Sequence, residues 1–256
     1  MSFRSGAFIL PLVALTAACA ANPAPSTATP ATTSLPPITE AAFSEELTER
    51  TFRYFWDTTD TGRCLAPDRW PSKPFSSIAA TGFALTAYGI GAERGYVTRA
   101  EAAMRTRDCL RFYWNAPQGP GAAGTTGYKG FFYHFLKNDD GTRYRTNELS
   151  TVDTSLFLGG ALFAQSYYDR NDPIEAEIRE LAEKIYTRVD WTFVQRTNTG
   201  TEAQNLPGSH GITMGWKPEK GFETHDWVGY NEGMLVYILA LGSPTHPVGK
   251  DAWDKG

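Results

Sequence analysis

Acidic side chains gather at two points of the chain, each at the start of a segment that is otherwise apolar. Glu148 and Asp153 flank the first point, and Glu223, Asp226 and Glu232 surround the second. Cleavage of a glycosidic bond requires one carboxyl group that protonates the leaving oxygen and a second carboxyl on the other side of the sugar. The pattern therefore favours acid–base hydrolysis, with the two groups roughly 6.5–9.5 Å apart if the anomeric centre is inverted.

Each carboxylate also has a purely structural interpretation. Ser150 and Asp153 have capping-box spacing, so Asp153 could only cap a helix, and Asp226 could cap the next one. Glu148 could be a surface residue. Glu232 differs, because it is predicted to lie inside the first turns of an apolar helix, where burial of a charge is costly and raises the pKa of a carboxyl. Glu232, Asp153 and Glu148 are therefore the predicted catalytic residues, with Glu232 as the proton donor.

The segments that enter the apolar stretches are rich in residues suited to carbohydrate, since flat aromatic faces stack on sugar rings. The aromatic and polar candidates for substrate binding are Arg69, Trp70, Phe132, Tyr133, His134, Trp216, Asp226, Trp227 and Tyr230. Several of these aromatic residues could equally be core. The histidines show no ligand spacing, and no nucleotide-binding motif occurs in a usable context, so we expect neither a metal nor a cofactor.

Two kinds of helix alternate along the chain. Residues 45–57, 98–114 and 173–191 carry apolar side chains on one face only and are predicted to be outer helices. Thr98 and Glu101 have capping-box spacing. Asp172 can cap the third helix, with Pro173 at its first position.

Between the outer helices lie three segments that are apolar or small nearly all round. They are residues 77–92, 151–168 and 228–241. Because such helices must be buried on all sides, the alternation predicts an all-α fold in which an outer ring of helices encloses an inner ring, that is, an (α/α) barrel. The alternative is a helical array or solenoid. The chain lacks recurring strand-like alternation, which argues against a β-sandwich.

The first residues have the pattern of a secretory signal, with a positive start, a short apolar run and small residues up to residue 20. Cys19 stands where a lipobox would place a lipidated cysteine, so the chain is expected in the periplasm or at the outer membrane. A soluble periplasmic protein is the alternative. Residues 21–42 are rich in Pro, Ala and Thr and are predicted to be a linker, which leaves residues 43–256 as one domain.

The composition excludes some partners and leaves the cysteines open. Net charge is −4 with both signs interspersed, so nucleic acid is not an expected partner. An oligo- or polysaccharide is the expected partner, with membrane contact only through a lipid anchor. Cys64 and Cys109 could pair in an oxidising compartment, but two separate buried thiols are the favoured expectation.

Six stretches of this chain carry a family resemblance. They are TERTFRYFWD, SIAATGFALTAYGIGAERG, GYKGFFYHFL, NELSTVDTSLFLGGALF, MGWKPEKGF and WVGYNEGMLVYILALGSPTHP. Together they span residues 45 to about 253 and resemble the glycoamylase-like family that includes bacterial endo-β-1,2-glucanases (glycoside hydrolase family 144-like).

The resemblance implies an (α/α)6 barrel that hydrolyses β-1,2-glucan with inversion and without a metal. It implies that Glu232 is the acid, that Glu148 and Asp153 line the cleft, and that Arg69 and His134 bind sugar. Family members have six inner helices and this chain has three, so we expect the N-terminal half of a barrel, exposed apolar faces, and weak or no activity. The catalytic base could lie in the other half. A hydrolase for another glucan linkage, a non-catalytic glucan-binding protein and an inactive fragment are the alternatives.

Overall fold

The computed structural model describes residues 39–256. The predicted signal segment, Cys19 and most of the predicted linker lie outside the described residues. The predicted end of the linker at residue 42 is wrong, because the first helix already begins at Glu40. Thr39 caps that helix by accepting a hydrogen bond from the backbone N–H of Ala42, at 3.2 Å.

Helices form most of the regular structure. In chain order they are α1 (Glu40–Thr58), α2 (Ile78–Glu93), α3 (Arg99–Asn115), α4 (Thr151–Tyr167), α5 (Pro173–Thr187), a 3-10 helix (Trp191–Val194), α6 (Arg196–Thr199), α7 (Met234–Leu241) and α8 (Asp251–Asp254). The predicted caps of two outer helices are confirmed. Thr98 and Glu101 form the full capping box of α3, and Asp172 caps α5, with Pro173 at its start.

Short strands precede the inner helices. They are β1 (Ser76–Ser77), β2 (Gly127–Tyr128), β3 (Phe131–Phe132), β4 (Phe135–Leu136), β5 (Leu149–Ser150), β6 (Gly215–Lys217) and β7 (Gly221–Phe222). All pairs are antiparallel: β1 with β4, β2 with β3, and β6 between β5 and β7. These pairings tie the entrance of α4 to the segments on either side of it.

The predicted alternation of outer and inner helices is confirmed. The inner helices α2 and α4 pack along each other, and α7 packs on the other side of α4. The outer helices α1, α3 and α5 cover them from outside. The approach of α2 to α4 depends on two glycines, since a Cβ on Gly82 would lie 2.3 Å from the carbonyl oxygen of Leu156, and one on Gly160 would lie 2.1 Å from that of Gly82.

The inner helices are not buried on all sides. Phe83 and Ile90 of α2 and Ile238 and Leu241 of α7 are exposed. No large hydrophobic residue of the central pair α4 and α5 is exposed. Among the inner helices, exposed apolar side chains therefore lie on α2 and α7, which flank α4, as expected for part of a ring. Within residues 39–256, no helix combines the length and apolar character that crossing a membrane requires.

Three predicted helix limits are wrong. The first outer helix, expected from residue 45, already begins at Glu40. The helix expected from residue 228 begins only at Met234, because Gly229 adopts a φ of +74° and Asn231 closes a turn by accepting from the N–H of Gly233, at 2.9 Å. The helix expected to reach Trp191 ends at Thr187, and Trp191 is buried in the following 3-10 helix.

The expectation that Cys64 and Cys109 are two separate thiols is also wrong. Cys64 and Cys109 form a disulfide that links the segment after α1 to α3. Both cysteines lie in the main hydrophobic core. Their pairing depends on how α3 packs, which the sequence around either cysteine does not reveal.

Candidate functional site

A cleft of about 470 Å³ opens at the entrance of α4, beside the loop that leads into α7. Its lining residues are His134, Glu148, Ser150, Val152, Asp153, Leu156, Met214, Glu223, His225, Trp227 and Glu232. Four of them are carboxylates and two are histidines. The two acidic clusters that the sequence placed at separate helix entrances thus meet in one cavity.

Hydrogen bonds between backbone segments bring His134 beside Glu148. The N–H of His134 donates to the carbonyl of Glu148 at 3.0 Å, and Tyr133 bridges to Leu149 in antiparallel fashion. The imidazole Nδ1 then lies 2.7 Å from Oε1 of Glu148. The other ring nitrogen, Nε2, lies 3.5 Å from Oδ1 of Asp153.

Asp153 is in the first turn of α4, and Ser150 caps that helix by accepting from the Asp153 N–H at 3.2 Å. The Ser150 hydroxyl in turn donates to Oδ2 of Asp153. The alternative interpretation of Asp153 as a capping residue is therefore wrong, because Ser150 is the cap and the Asp153 carboxyl accepts from the Ser150 hydroxyl instead of its backbone N–H. The Asp153 carboxyl faces the cleft, although the residue is only 8% exposed.

The three groups differ in how their surroundings change their pKa values. Burial raises the pKa of the Asp153 carboxyl, and the nearby charges of Glu148 and Glu232 raise it further, against the opposing effects of His134 and Ser150. The hydrogen bond to His134 lowers the pKa of Glu148 despite burial. Asp153 is thus the carboxyl whose surroundings favour the protonated form, as a proton donor requires.

The opposite side of the cleft comes from the region around β6 and β7. Lys217 Nζ lies 2.6 Å from Oε1 of Glu223. The indole N–H of Trp227 donates to Oγ1 of Thr151 at 2.9 Å, which fixes one face of the ring against α4. Trp227, one of the aromatic candidates for substrate binding, therefore lines the cleft.

Glu232 lies in the cleft, but the prediction that it is buried within a helix is wrong. It is exposed, in the turn that precedes α7. Gly233, the next residue, packs so closely on Trp227 that an added Cβ would lie 2.7 Å from the ring. This contact holds the turn against the cleft wall and leaves the Glu232 side chain at the cavity mouth.

Two predicted sugar platforms are wrong. Phe132 and Tyr133 are fully buried in the core, so no sugar ring can reach either. Phe132 packs against Tyr113 and Phe157, and the guanidinium of Arg143 lies 4.7 Å from the centre of the Tyr133 ring. The aromatic residues before His134 therefore belong to the hydrophobic core against which the site is built.

Asp226 is also not a substrate ligand, nor does it cap the third inner helix. It is completely buried and paired with Arg196, whose Nε donates to Oδ1 at 2.9 Å. Arg196 also donates to the carbonyl of Glu223, at 3.0 Å. No local pattern around Asp226 indicated this partner, which lies 30 residues away, yet the pair fixes the segment that carries Glu223, His225 and Trp227.

The remaining predicted ligands lie outside the cleft lining. Arg69 pairs with Asp68 at 2.7 Å, and Trp70 is exposed beside Lys73. Trp216 packs on Tyr128 and Phe193. Tyr230 is 91% exposed and borders a second cavity, of about 350 Å³, together with Trp253.

Sequence reasoning missed two cleft residues and one ion pair beside them. Ser150 was seen only as a cap, His225 was set aside because it lacks ligand spacing, and the pairing of Lys217 with Glu223 was not anticipated. Lys217 is placed by the pairing of β6 with β5, for which a three-residue strand offers little sequence signal. Within residues 39–256, no group of three or more His, Cys, Asp or Glu side chains is arranged to hold a metal ion.

Comparison with known proteins gives two matches in sequence. Residues 224–255, which include the Glu232 turn and α7, match the family model Glycoamylase, described as "Putative glucoamylase". The chain is 26% identical over 227 residues to an exo-β-1,2-glucooligosaccharide sophorohydrolase (non-reducing end) of Parabacteroides distasonis. That alignment covers 86% of this chain and 29% of the relative.

The resemblance to the glycoamylase-like family is confirmed. A "putative glucoamylase" from Bacteroides uniformis matches the structure with a TM-score of 0.73 and 26% identity, over 87% of this chain and 51% of that one. An endo-β-1,2-glucanase from Chitinophaga pinensis, solved with sophorotriose and glucose, matches with a TM-score of 0.72 and 21% identity, over 86% and 51%.

The fold prediction is confirmed as well. The structural neighbours include glucanases of the (α/α)6-barrel type, and this chain corresponds to part of such a barrel. The chain spans less than a third of the curated relative and about half of each of the two solved structures.

Proposed function

We propose that this chain is a glycoside hydrolase acting on a β-glucan, and specifically on β-1,2-linked glucose. The observation that carries the proposal is the cleft in which a buried Asp153 with a raised pKa lies near a second carboxylate, Glu232. The relatives support the substrate, since their names specify β-1,2-glucan or its oligosaccharides.

In the proposed reaction, Asp153 transfers its proton to the glycosidic oxygen while the bond from that oxygen to the anomeric carbon breaks. A carboxylate on the other side removes a proton from water, whose oxygen attacks the anomeric carbon from the opposite face and inverts it. The resemblance assigns the acid role to Glu232, whereas burial and charge favour Asp153. Both residues line the cleft, so both roles can be tested on this chain.

The first test is product analysis by mass spectrometry. The purified chain is incubated with linear β-1,2-glucan, laminarin and starch. Short β-1,2-gluco-oligosaccharides alone would support the proposed linkage, and products from laminarin or starch would support a different one. Glucan binding without products would contradict hydrolysis and point to a non-catalytic glucan-binding protein.

A second test separates the two carboxyls. Asp153→Asn and Glu232→Gln are assayed on β-1,2-glucan and on an aryl β-sophoroside whose phenolate leaves without protonation. A variant that lacks only the proton donor loses activity on glucan by a factor of about 10² to 10⁴ but keeps most activity on the aryl substrate. If Glu232→Gln shows this pattern and Asp153→Asn does not, the assignment of Asp153 is wrong.

Export to the periplasm or the outer membrane is a further part of the proposal and rests on the N-terminal sequence pattern alone. Cell fractionation with Cys19→Ser as the comparison tests it. A lipid-anchored protein would move from the membrane fraction to the soluble periplasm in the variant. The same distribution for both proteins would contradict the anchor, and retention in the cytoplasm would contradict export.

A further inference from the structure

The imidazole of His134 spans two carboxylates. Nδ1 lies 2.7 Å from Oε1 of Glu148 and Nε2 lies 3.5 Å from Oδ1 of Asp153. A histidine has only these two ring nitrogens for hydrogen bonding. Nδ1 is therefore engaged by Glu148 through a hydrogen bond, and Nε2 is turned toward the Asp153 carboxylate.

The ring is held in this position from the backbone and from one face. The His134 N–H donates to the Glu148 carbonyl, and the His134 carbonyl accepts from the N–H of Ile78 at the start of α2, at 3.1 Å. The ring stacks on Phe135, with 3.7 Å between the ring centres. The backbone contacts therefore fix the position of the residue, and the hydrogen bond to Glu148 and the stacking on Phe135 orient its ring.

The charges around the ring are mostly negative. Besides Glu148 and Asp153, the nearby titratable groups are Asp68, Lys217, Glu223, His225 and Glu232. Lys217 is already paired with Glu223. Burial opposes the charged imidazole, but the hydrogen bond to Glu148 and the charges of Asp153, Glu148 and Asp68 outweigh it, so the pKa of His134 is raised.

We propose that His134 is a positioning residue, which holds the Glu148 and Asp153 carboxyls at the two ends of one imidazole ring and controls the pH at which each carries its proton. It does not bind sugar. The contacts of His134 with the two carboxyls do not depend on the proposed function. Their consequence for catalysis rests on it, with Asp153 as donor.

The direction of control follows from charge. Below its own pKa, His134 is an imidazolium, which stabilises both carboxylates and limits how far burial can raise the Asp153 pKa. When the imidazolium loses its proton, this stabilisation is lost and Asp153 holds its proton more strongly. At low pH the imidazolium therefore counteracts the rise that burial causes in the Asp153 pKa. This counteraction is lost as the pH rises above the pKa of His134.

The experiment is a carboxyl titration by ¹³C NMR on the full chain carrying labelled Asp and Glu, with Asp153→Asn and Glu148→Gln to assign the signals. His134→Gln keeps a hydrogen-bonding side chain but cannot be charged. We expect it to raise the titration midpoints of Glu148 and Asp153 by about one pH unit each. His225→Gln, which removes another histidine of the same cleft, is the matched control and should leave both midpoints in place.

Unchanged midpoints in His134→Gln, or equal shifts in both histidine variants, would overturn the proposal. If His134→Gln does not fold, the reverse measurement decides, because Glu148→Gln removes the hydrogen bond and should lower the imidazole midpoint of His134. An imidazole midpoint that does not fall would also overturn it.

Kinetics separates positioning from sugar binding. A sugar ligand lost in His134→Gln would raise KM with the same pH profile. A positioning residue would lower kcat, leave KM nearly unchanged and move the alkaline limb of the pH profile upward. If no variant hydrolyses any glucan, the proposed function fails while the NMR titration still tests the inference.

Discussion

Asp226 illustrates how a residue chosen for its chemistry can have a supporting role instead. Its side chain is completely buried against Arg196, and Asn205 holds its backbone by donating to its carbonyl and accepting from its N–H. A buried charge is tolerated only when it is paired. The Arg196–Asp226 pair therefore stabilises the segment that brings Glu223 and Trp227 to the cleft.

At the same residue scale, Arg196→Met should lower the free energy of unfolding by about 3 to 5 kcal/mol, because it leaves the Asp226 charge buried without its partner. Urea denaturation measures this. Arg111→Met, which breaks an exposed ion pair with Glu177, is the matched control and should cost far less. Equal losses in the two variants would contradict the structural role of Arg196.

At the scale of elements, the site depends on how closely α2 and α4 approach. Both helices begin beside His134: the N–H of Ile78, the first residue of α2, donates to the His134 carbonyl, and α4 carries Asp153 in its first turn. The small residues at their contact allow one backbone to touch the other. The sequence showed the Gly and Ala content but not which glycines lie at the contact.

Gly82→Ala should destabilise the protein, because its Cβ would lie 2.3 Å from the Leu156 carbonyl oxygen and the helix backbones would have to separate. We expect a loss of about 1 to 3 kcal/mol. Gly159→Ala is the control, since its Cβ would meet only the end of the Leu235 side chain at 3.5 Å, and alanine favours a helix by up to about 1 kcal/mol. Thermal melts that rank the two variants in the opposite order would refute the close approach.

At the scale of the whole molecule, the disulfide between Cys64 and Cys109 closes a long loop that contains β1, α2 and part of α3. The exposed apolar residues occur on elements at both ends of the helical array, and the core between them is continuous. The two cysteines are 45 residues apart, so the covalent link closes a long loop and lowers the conformational entropy of the unfolded chain.

Cys64→Ala/Cys109→Ala should therefore lower the free energy of unfolding by about 4 kcal/mol, the chain-entropy value for a loop of this size. Denaturation curves of the oxidised wild type, the reduced wild type and the double variant provide the measurement. The reduced wild type should match the double variant. No difference between the oxidised and reduced proteins would show that the link does not stabilise the fold.

Local patterns by themselves determined much of this protein. The alternation of amphipathic and apolar helices, the Thr98 capping box, the Asp172–Pro173 helix start and the two acidic clusters all depend on residues a few positions apart. These features predicted the helical barrel type, and the motif resemblance pointed to the family. Glu148, Asp153, His134, Trp227 and Glu232 were named from the sequence, and all five line one cleft. Their catalytic and binding roles stay predictions.

Only the tertiary structure decided which candidates are accessible and which are buried. Phe132, Tyr133 and Asp226 are aromatic or acidic, as several cleft residues are, but all three are buried. Phe132 packs against α3 and α4, the Arg143 guanidinium lies over Tyr133, and Arg196 pairs with Asp226. The late start of α7 and the position of Glu232 depend on Gly233 packing against Trp227. Burial and pairing are contacts between distant parts of the chain, so a local sequence pattern cannot specify them.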